Sequence, residues 1–296
     1  MRVSKCVFLI LALFINSSHI FGEFIPRSLG QKQTELEEIL NKCAEYCEKL
    51  AKSALFFVCE ERIQETVFNY SDGKGKELVN NLRRHWEATR MYRGTRLLPK
   101  SERNVYIYDY QLIKKGEKIE ESRILLEENG EKRIEKNAKL KTTRFYSQRS
   151  VFGPVGLLSK QWQEQYNYSL MGEDKVDGKK AYVIEAIPME RIEERPNYGK
   201  IWIDKKDFTI LKIEVAEESL KDYETIKEEL KKYKIVPAIT DVHFFKTVKN
   251  GIRFPSQTII EEYYKGSFLG GKLKKSRTVV SYDNYRFFTV EVDVKY

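Results

Sequence analysis

The side chains best equipped for chemistry in this chain of 296 residues are the thiols of Cys43, Cys47 and Cys59, the imidazoles of His85 and His243, and the carboxylate doublets Glu60/Glu61, Glu193/Glu194 and Glu261/Glu262. In an oxidising compartment three thiols form one bridge and leave one spare. Cys43 and Cys47 fall on adjacent turns of a predicted helix, a poor geometry for bridging each other. Cys59 is therefore expected to pair with Cys47 or with Cys43. A structural zinc takes four ligands as a rule, and beside the cysteines only these two histidines remain, so no metal site is expected. The doublets do not make acid/base pairs, because successive residues of a strand point to opposite faces. The chain has no Gly-x-Ser-x-Gly elbow, phosphate loop or dinucleotide fingerprint. These residues predict no catalytic site, no cofactor and no enzyme.

Two other sets of residues are suited to binding. Arg83, Arg84, Arg90 and Arg93 crowd a basic stretch, 71–103, in which they are opposed by few acids. They could hold anionic head groups or form a solvated surface insertion, partly helical. The second set is apolar. Phe152, Leu157, Leu158 and Trp162 lie in a Gly- and Pro-broken run that suits a loop and short helix better than a strand. With Leu36 and Leu40 they could lid a pocket whose wall includes Trp202, Leu211 and Ile213, or they could be plain core.

These side chains need elements to position them. Arg2 and Lys5, the apolar run Cys6–Ile15 and the small or polar residues through Gly22 have the layout of a secretory signal peptide. Ten apolar residues cannot span a bilayer core that needs ~20. Cleavage is expected after Gly22, with Ser18 the second choice, leaving 23–296 as one domain. The formal net charge of +9 then drops by two, when Arg2 and Lys5 leave. Export argues against nucleic acid as a partner, and a mild positive excess suits an anionic membrane surface or solubility alone.

Thr34-Glu35-Leu36-Glu37 reads as a capping box, and Leu36, Ile39, Leu40, Cys43, Tyr46, Cys47 and Leu50 recur at helical spacing. The spacing predicts a helix over 35–51. A second, highly charged helix is predicted at 217–233. The rest reads as strand, turn, strand: 55–70, 105–113, 118–128, 132–146, 166–176, 180–187, 200–204, 208–216, 241–248, 252–264, 275–282 and 285–295. Asn129-Gly130 and Asn250-Gly251 are strong hairpin turns. Leu211, Ile213 and Val215 alternate with Lys212 and Glu214, so one face of the sheet is wet and the other apolar. Helical crossovers are missing between most strands, which excludes a parallel α/β fold. The fold class is mainly β (α+β): a large curved antiparallel sheet or unclosed half-barrel of about 11–12 strands, with helices covering its concave apolar face.

The predicted cover is thin for so wide a sheet. A dry cavity of a few hundred Å³ would cost on the order of 10 kcal/mol at ~24 cal/mol per Å³, as much as a whole domain's stability. Any cavity must therefore be collapsed, wet or occupied by an apolar ligand.

The phrase Asp177-Gly178 to Pro188, then Gly199-Lys200-Ile201-Trp202-Ile203-Asp204, then Phe208–Glu214 resembles the outer-membrane lipoprotein-sorting family of LolA/LolB-like carriers. Gly251–Pro255 and Pro154–Leu158 are similar to it as well, so the resemblance covers roughly 145–290. It implies an unclosed barrel with helices lidding a hydrophobic cavity, and a periplasmic protein that carries lipid or lipoprotein acyl chains. The basic stretch, the 217–233 helix and the cysteines are extra to that pattern. The expectation is a periplasmic binder or carrier of a lipid or acylated protein, in peripheral contact with an anionic membrane. The alternative is a non-catalytic structural or interaction protein of the envelope, using the basic stretch and a tyrosine-rich face at 106–110; an envelope hydrolase ranks third.

Overall fold

The computed structural model describes residues 27–55, 57–69, 80, 83–84, 87, 100–115, 118–142, 150–189, 197–220, 223–266 and 271–288. The expected signal segment, Arg90, Arg93 and the Val290–Val294 alternation lie outside the described residues.

Helix α1 runs Arg27–Ser53. It begins earlier than the capping box suggested, so Thr34 lies inside the helix and the box marks no terminus. Among residues 27–33 only Gly30 is a poor helix former. Strand β1 (Phe57–Asn69) follows, then β2 (Lys100–Lys115), β3 (Lys118–Glu128) and β4 (Glu131–Lys136). Lys100–Arg103 thus belong to a strand, which shortens the expected basic insertion; Arg83 and Arg84 are helical and exposed. A 3₁₀ turn (Ser150–Phe152) leads into the short helices α2 (Gly153–Leu158) and α3 (Lys160–Gln163). Pro154 suits the first turn of α2, where its missing N–H costs nothing. Strands β5 (Tyr166–Val176), β6 (Lys179–Pro188), β7 (Gly199–Asp204) and β8 (Ile210–Val215) come next. The expected 217–233 helix is two pieces, a 3₁₀ turn (Glu217–Ser219) and α4 (Tyr223–Lys231).

Strand β9 (Val236–Phe244) precedes the hairpin β10 (Thr247–Lys249) and β11 (Ile252–Phe254), which forms a small sheet of its own. The expected strand 252–264 is therefore broken, with Pro255 at the break, before β12 (Gln257–Gly266). The last two expected strands are one, β13 (Gly271–Phe287). Asp283-Asn284 is no hairpin turn, because β13 continues through it along β1, with a register shift between Val58 and Glu60.

The eleven strands of the large sheet pair in the order β4-β3-β2-β1-β13-β12-β9-β8-β7-β6-β5, all antiparallel. The outermost strands β4 and β5 are not neighbours in that order, so the sheet is not closed into a barrel. Two meanders, β1–β4 and β5–β9, are joined through β12 and β13, so the last strand lies mid-sheet against the first. The turns that reverse the chain carry the positive φ pairs of two-residue hairpins: Asn129-Gly130 (52° and 87°), Asp177-Gly178 (48° and 80°) and Asn250-Gly251 (52° and 74°).

Register assigns the faces. His243, Thr258, Val280, Ile63 and Tyr106 stand in one row across five strands. Ile213 continues the row on β8. This interior face holds the main core, which includes Leu36, Cys43, Cys47 and Leu50 from α1 and Leu157 and Leu158 from α2. Tyr106, Tyr108 and Tyr110 belong to that core and are buried, so the expected tyrosine-rich contact surface is not on the outside: paired opposite Ile63, Glu61 and Cys59, they face inward.

Gly199 at the start of β7 has φ +154°, and a Cβ there would stand 2.1 Å from the Glu214 carbonyl oxygen. Gly199→Ala therefore forces the β7–β8 ladder apart and is expected to destabilise the fold by about 2–4 kcal/mol. A urea midpoint equal to that of the parent chain would refute the close approach.

Candidate functional site

The site proposed from sequence is a two-part cover, α1 and 150–163, over an apolar wall. The structure brings most of it together. Leu36, Leu157, Leu158 and Ile213 share the main core, and Leu40, Phe152 and Trp162 pack against it from partly exposed positions. Side-chain hydrogen bonds fasten the cover. Tyr168 on β5 donates to the Leu157 carbonyl at 2.5 Å. Gln163 Nε2 donates to the carbonyls of Leu40 and Leu158 at 2.7 and 2.8 Å, tying α3 to α1. The Cys47 thiol donates to the Pro154 carbonyl at 3.3 Å, and Tyr282 Oη donates to Ser150 Oγ at 3.4 Å. Tyr46 Oη donates to the Arg253 carbonyl at 3.0 Å and accepts from the Arg253 amide at 3.3 Å, satisfying the backbone of β11 beneath the helix.

Trp202 and Leu211 are not in this group. Both belong to a separate cluster with Val176, Ala181 and Val183 on the opposite face. A register shift between Trp202 and Ile203 puts Leu211 beside Trp202, while Ile210 and Ile213 stay inside. There Trp202 Nε1 donates to Asp174 Oδ2 at 2.9 Å, and Lys212 Nζ lies 3.6 Å from the centre of its ring. Strict alternation from 211 to 215 could not foresee a bulge.

Among the described residues the core under the cover is closely packed. Leu50, Cys47, Leu158, Ile184, Ile201 and Tyr108 are all at 0% exposure, and a water-sized void beside any of them would leave it some accessible surface. The hairpin β10–β11 supplies part of the filling. Phe254 meets Phe57 edge-on at 5.4 Å and Phe287 at 5.0 Å, and Tyr285 donates to the Pro255 carbonyl at 2.7 Å.

The cysteines are free and buried, so the expected bridge from Cys59 is absent. Cys47 points at the Pro154 carbonyl, whereas Cys59 lies on β1 between β2 and β13. Burial raises all three: Cys43 up to about 12, and Cys47 and Cys59 above their ordinary values, with the Glu61 charge a lesser contributor at Cys59.

Sequence reasoning missed a row of buried polar groups on the interior face. Arg123 makes a two-pronged ion pair with Glu61, Nε–Oε2 2.5 Å and Nη2–Oε1 3.0 Å, and also reaches Glu121 at 3.0 Å. Asp241 Oδ1 lies 3.0 Å from His243 Nε2, and Thr258 Oγ1 lies 3.1 Å from His243 Nδ1. Hydroxyl, imidazole and carboxylate follow one another as in a hydrolase, but all three residues are buried, which gives the hydroxyl no route to a solvent-borne carbonyl. The signal was available: Asp241-Val242-His243 alternates inside a largely apolar strand. Glu60/Glu61 and Glu261/Glu262 divide between the faces as expected, Glu61 and Glu262 inward and Glu261 outward against Lys274. Among the described residues no group of three or more His, Cys, Asp and Glu could hold a metal ion, and no helix is long and apolar enough to cross a membrane.

A family model described as uncharacterized-protein-like matches residues 132–289, more than half of the chain. The chain belongs to that family. No curated protein matches it. Solved structures similar to it include a DUF1329 family protein from Desulfovibrio piger, 11% identical over 87% of this chain and 95% of that one, TM-score 0.41. A LolA superfamily protein from Nitrosomonas europaea is 15% identical over 86% and 94%, TM-score 0.37. A lipoprotein-sorting protein domain from Vibrio parahaemolyticus is 12% identical over 86% and 95%, TM-score 0.37. The last two names are those of the family that the sequence resembles.

The raised thiols and tyrosines give the fold an alkaline limit. Thiols of the unfolded chain titrate near 9 and tyrosines near 10, whereas Cys43, Tyr108 and Tyr166 are held up to about 12. Between those values the unfolded chain has released protons that the native chain retains. Stability is therefore complete below about pH 9 and falls as pH rises towards 12. Urea midpoints measured at intervals from about pH 7.5 to about pH 10.5 should be level at first and then decline; a flat profile would refute the burial of these groups. Thiol reagents near neutral pH should label the cysteines only after unfolding.

Proposed function

We propose that the protein is an exported binding protein for an apolar ligand, an acyl chain of a lipid or acylated protein, taken up between the interior face of the sheet and the two-part cover. The observation that carries this reading is the seam of the cover. Leu40, Phe152, Val155, Trp162, Tyr168 and Leu170 form a partly exposed apolar border where α1 and 150–163 meet the sheet. The cover adds no strand to the sheet, and its polar attachments described above are individual side-chain bonds worth about 1 kcal/mol net each. Lifting it exposes leucine-sized side chains at about 1.5–3 kcal/mol apiece, and an acyl chain returns about 0.8 kcal/mol for every CH₂ it buries. A chain of about sixteen carbons thus offsets roughly five such side chains. The filled interior is, on this reading, the closed state of an empty carrier.

Export rests on the signal-peptide layout of residues 1–22, and the periplasm is the compartment that the family resemblance supports. Proteins named for lipoprotein sorting among the similar structures agree with a carrier, and the apolar seam supports an acyl chain as the cargo.

The test combines cargo and movement. Purified protein is extracted for bound lipid, then incubated with a fluorescent fatty-acid analogue while amide exchange is followed. Uptake should change protection in 36–50 and 150–163 together, and Trp162→Ala should alter uptake by several-fold. No extracted lipid, no uptake and unchanged exchange in both segments would sink the proposal.

A further inference from the structure

Away from the cover, a cleft of about 700 Å³ opens between the second half of α4 and the paired ends of β9 and β12. Its lining includes Lys227, Lys231, Lys234, Lys265, Ile235 and Val236. The volume lies in the range of ligand pockets, which run to about 300–1,000 Å³. Lysine stems and the exposed Val236 side chain make its wall apolar, while the ammonium groups of Lys234 and Lys265 can reach its rim.

The charges are unevenly matched. Lys227 pairs with Glu224 at 3.0 Å and Lys231 with Glu228 at 3.2 Å, and Glu228 is the one acid among the described lining residues. Lys234 and Lys265 have no carboxylate partner within ion-pair distance among the described residues. Val236 and Lys265 face each other across the strands, and Val236 is 52% exposed, a large apolar surface beside an unneutralised cation. The end of α4 would oppose an anion if its carbonyls were bare, but they are occupied: the amides of Tyr233 and Ile235 donate to the Leu230 carbonyl and that of Lys234 to the Lys231 carbonyl. Lys234 turns the chain with φ +57°.

We propose that this cleft binds a single acyl chain bearing a carboxylate, the chain lying along Val236 and the lysine stems and the head group held by Lys234 and Lys265. An apolar wall without the cations would suit a neutral chain, and the cations without the wall would suit any small anion. The two together select a molecule with both features. The cleft lies apart from the cover, so this proposal stands or falls separately from the carrier reading.

The experiment is calorimetric titration of the chain lacking residues 1–22 with decanoate, dodecanoate and tetradecanoate, each below its micelle concentration. Binding at the cleft, the component that the lysine variants below weaken, is expected to tighten on the order of tenfold with each two-carbon step. Lys234→Gln combined with Lys265→Gln should weaken dodecanoate about fivefold and flatten the salt dependence; the arginine pair at the same positions should restore both. Val236→Asp should abolish the cleft component of the binding. All three side chains are exposed, so these variants should fold as the parent does. Amide exchange in 223–236 and 257–266 should change on dodecanoate addition in the parent and not in the glutamine pair, whereas the response of 36–50 and 150–163 should be the same in both proteins, which separates this site from the cover. The proposal is overturned by dodecanol binding as tightly as dodecanoate, by inorganic phosphate competing as well as the acylate, by a glutamine pair or Val236→Asp that binds like the parent, or by no binding at all.

Discussion

The pairing of β1 with β13 is the constraint on which the rest of the molecule depends. It is where the β1–β4 arm meets the remainder of the sheet, and it joins residues near 60 to residues near 280. Without it the tyrosines of β2 would face no core, and the interior row from His243 to Tyr106 would be cut between Val280 and Ile63. Contacts so distant in sequence form late and slowly, because loop closure must be met before they contribute. A local device helps to fix them. Phe57, the first residue of β1, packs with Phe254, Tyr285 and Phe287, so the aromatic cluster joins the start of β1, the end of β13 and the β10–β11 hairpin in one place.

Register is fixed a second way, by charge. The Arg123–Glu61 pair sits inside the sheet, where desolvation alone would make it unfavourable. Its geometry offsets much of that cost: two prongs on Glu61, a third bond to Glu121 and the Tyr110 ring 4.8 Å from the guanidinium carbon. The larger consequence is specificity. Slipping β3 by one residue would turn Arg123 outward and leave Glu61 buried without its guanidinium, which every correct register avoids. The same reasoning applies to His243 between Asp241 and Thr258, which ties β9 to β12 in a row that apolar side chains alone would let slide.

Where the sequence spoke through local chemistry, the reading and the molecule agree. Asn129-Gly130, Asp177-Gly178 and Asn250-Gly251 mark turns because only residues tolerant of positive φ can make them, and the strands on either side follow. The α1 stripe was legible for the same reason, since Leu36, Ile39, Cys43 and Leu50 repeat at the spacing of a single helix face. Three features were not local. The bulge that sends Leu211 to the outer face depends on how β7 pairs with β8. The run of β13 through Asp283-Asn284 depends on β1 lying beside it. The free state of the cysteines depends on Cys47 and Cys59 belonging to different layers, which spacing along the chain does not express. The interior aromatic filling is likewise tertiary, because a Phe at 254 and another at 57 carry no sign in sequence that they touch.

The two coverings of the interior face differ for a physical reason. From Leu36 to Leu50 helix α1 presents a side chain to the core on every turn, so that stretch can interlock with the wall. Helix α4 has nine residues and few apolar anchors, chiefly Tyr223, Ile226 and Leu230. Its chain must then reverse within a few residues to enter β9, and Lys234 makes that reversal in the left-handed region. Ile235 turns inward to meet Leu230 and Tyr264, which leaves Val236 to turn outward. The stems of Lys231 and Lys234 before it and of Lys265 on β12 line the gap that the short helix cannot fill. The cleft is thus a product of where α4 stops, and its combination of grease and positive charge follows from using lysine to border an unfilled edge.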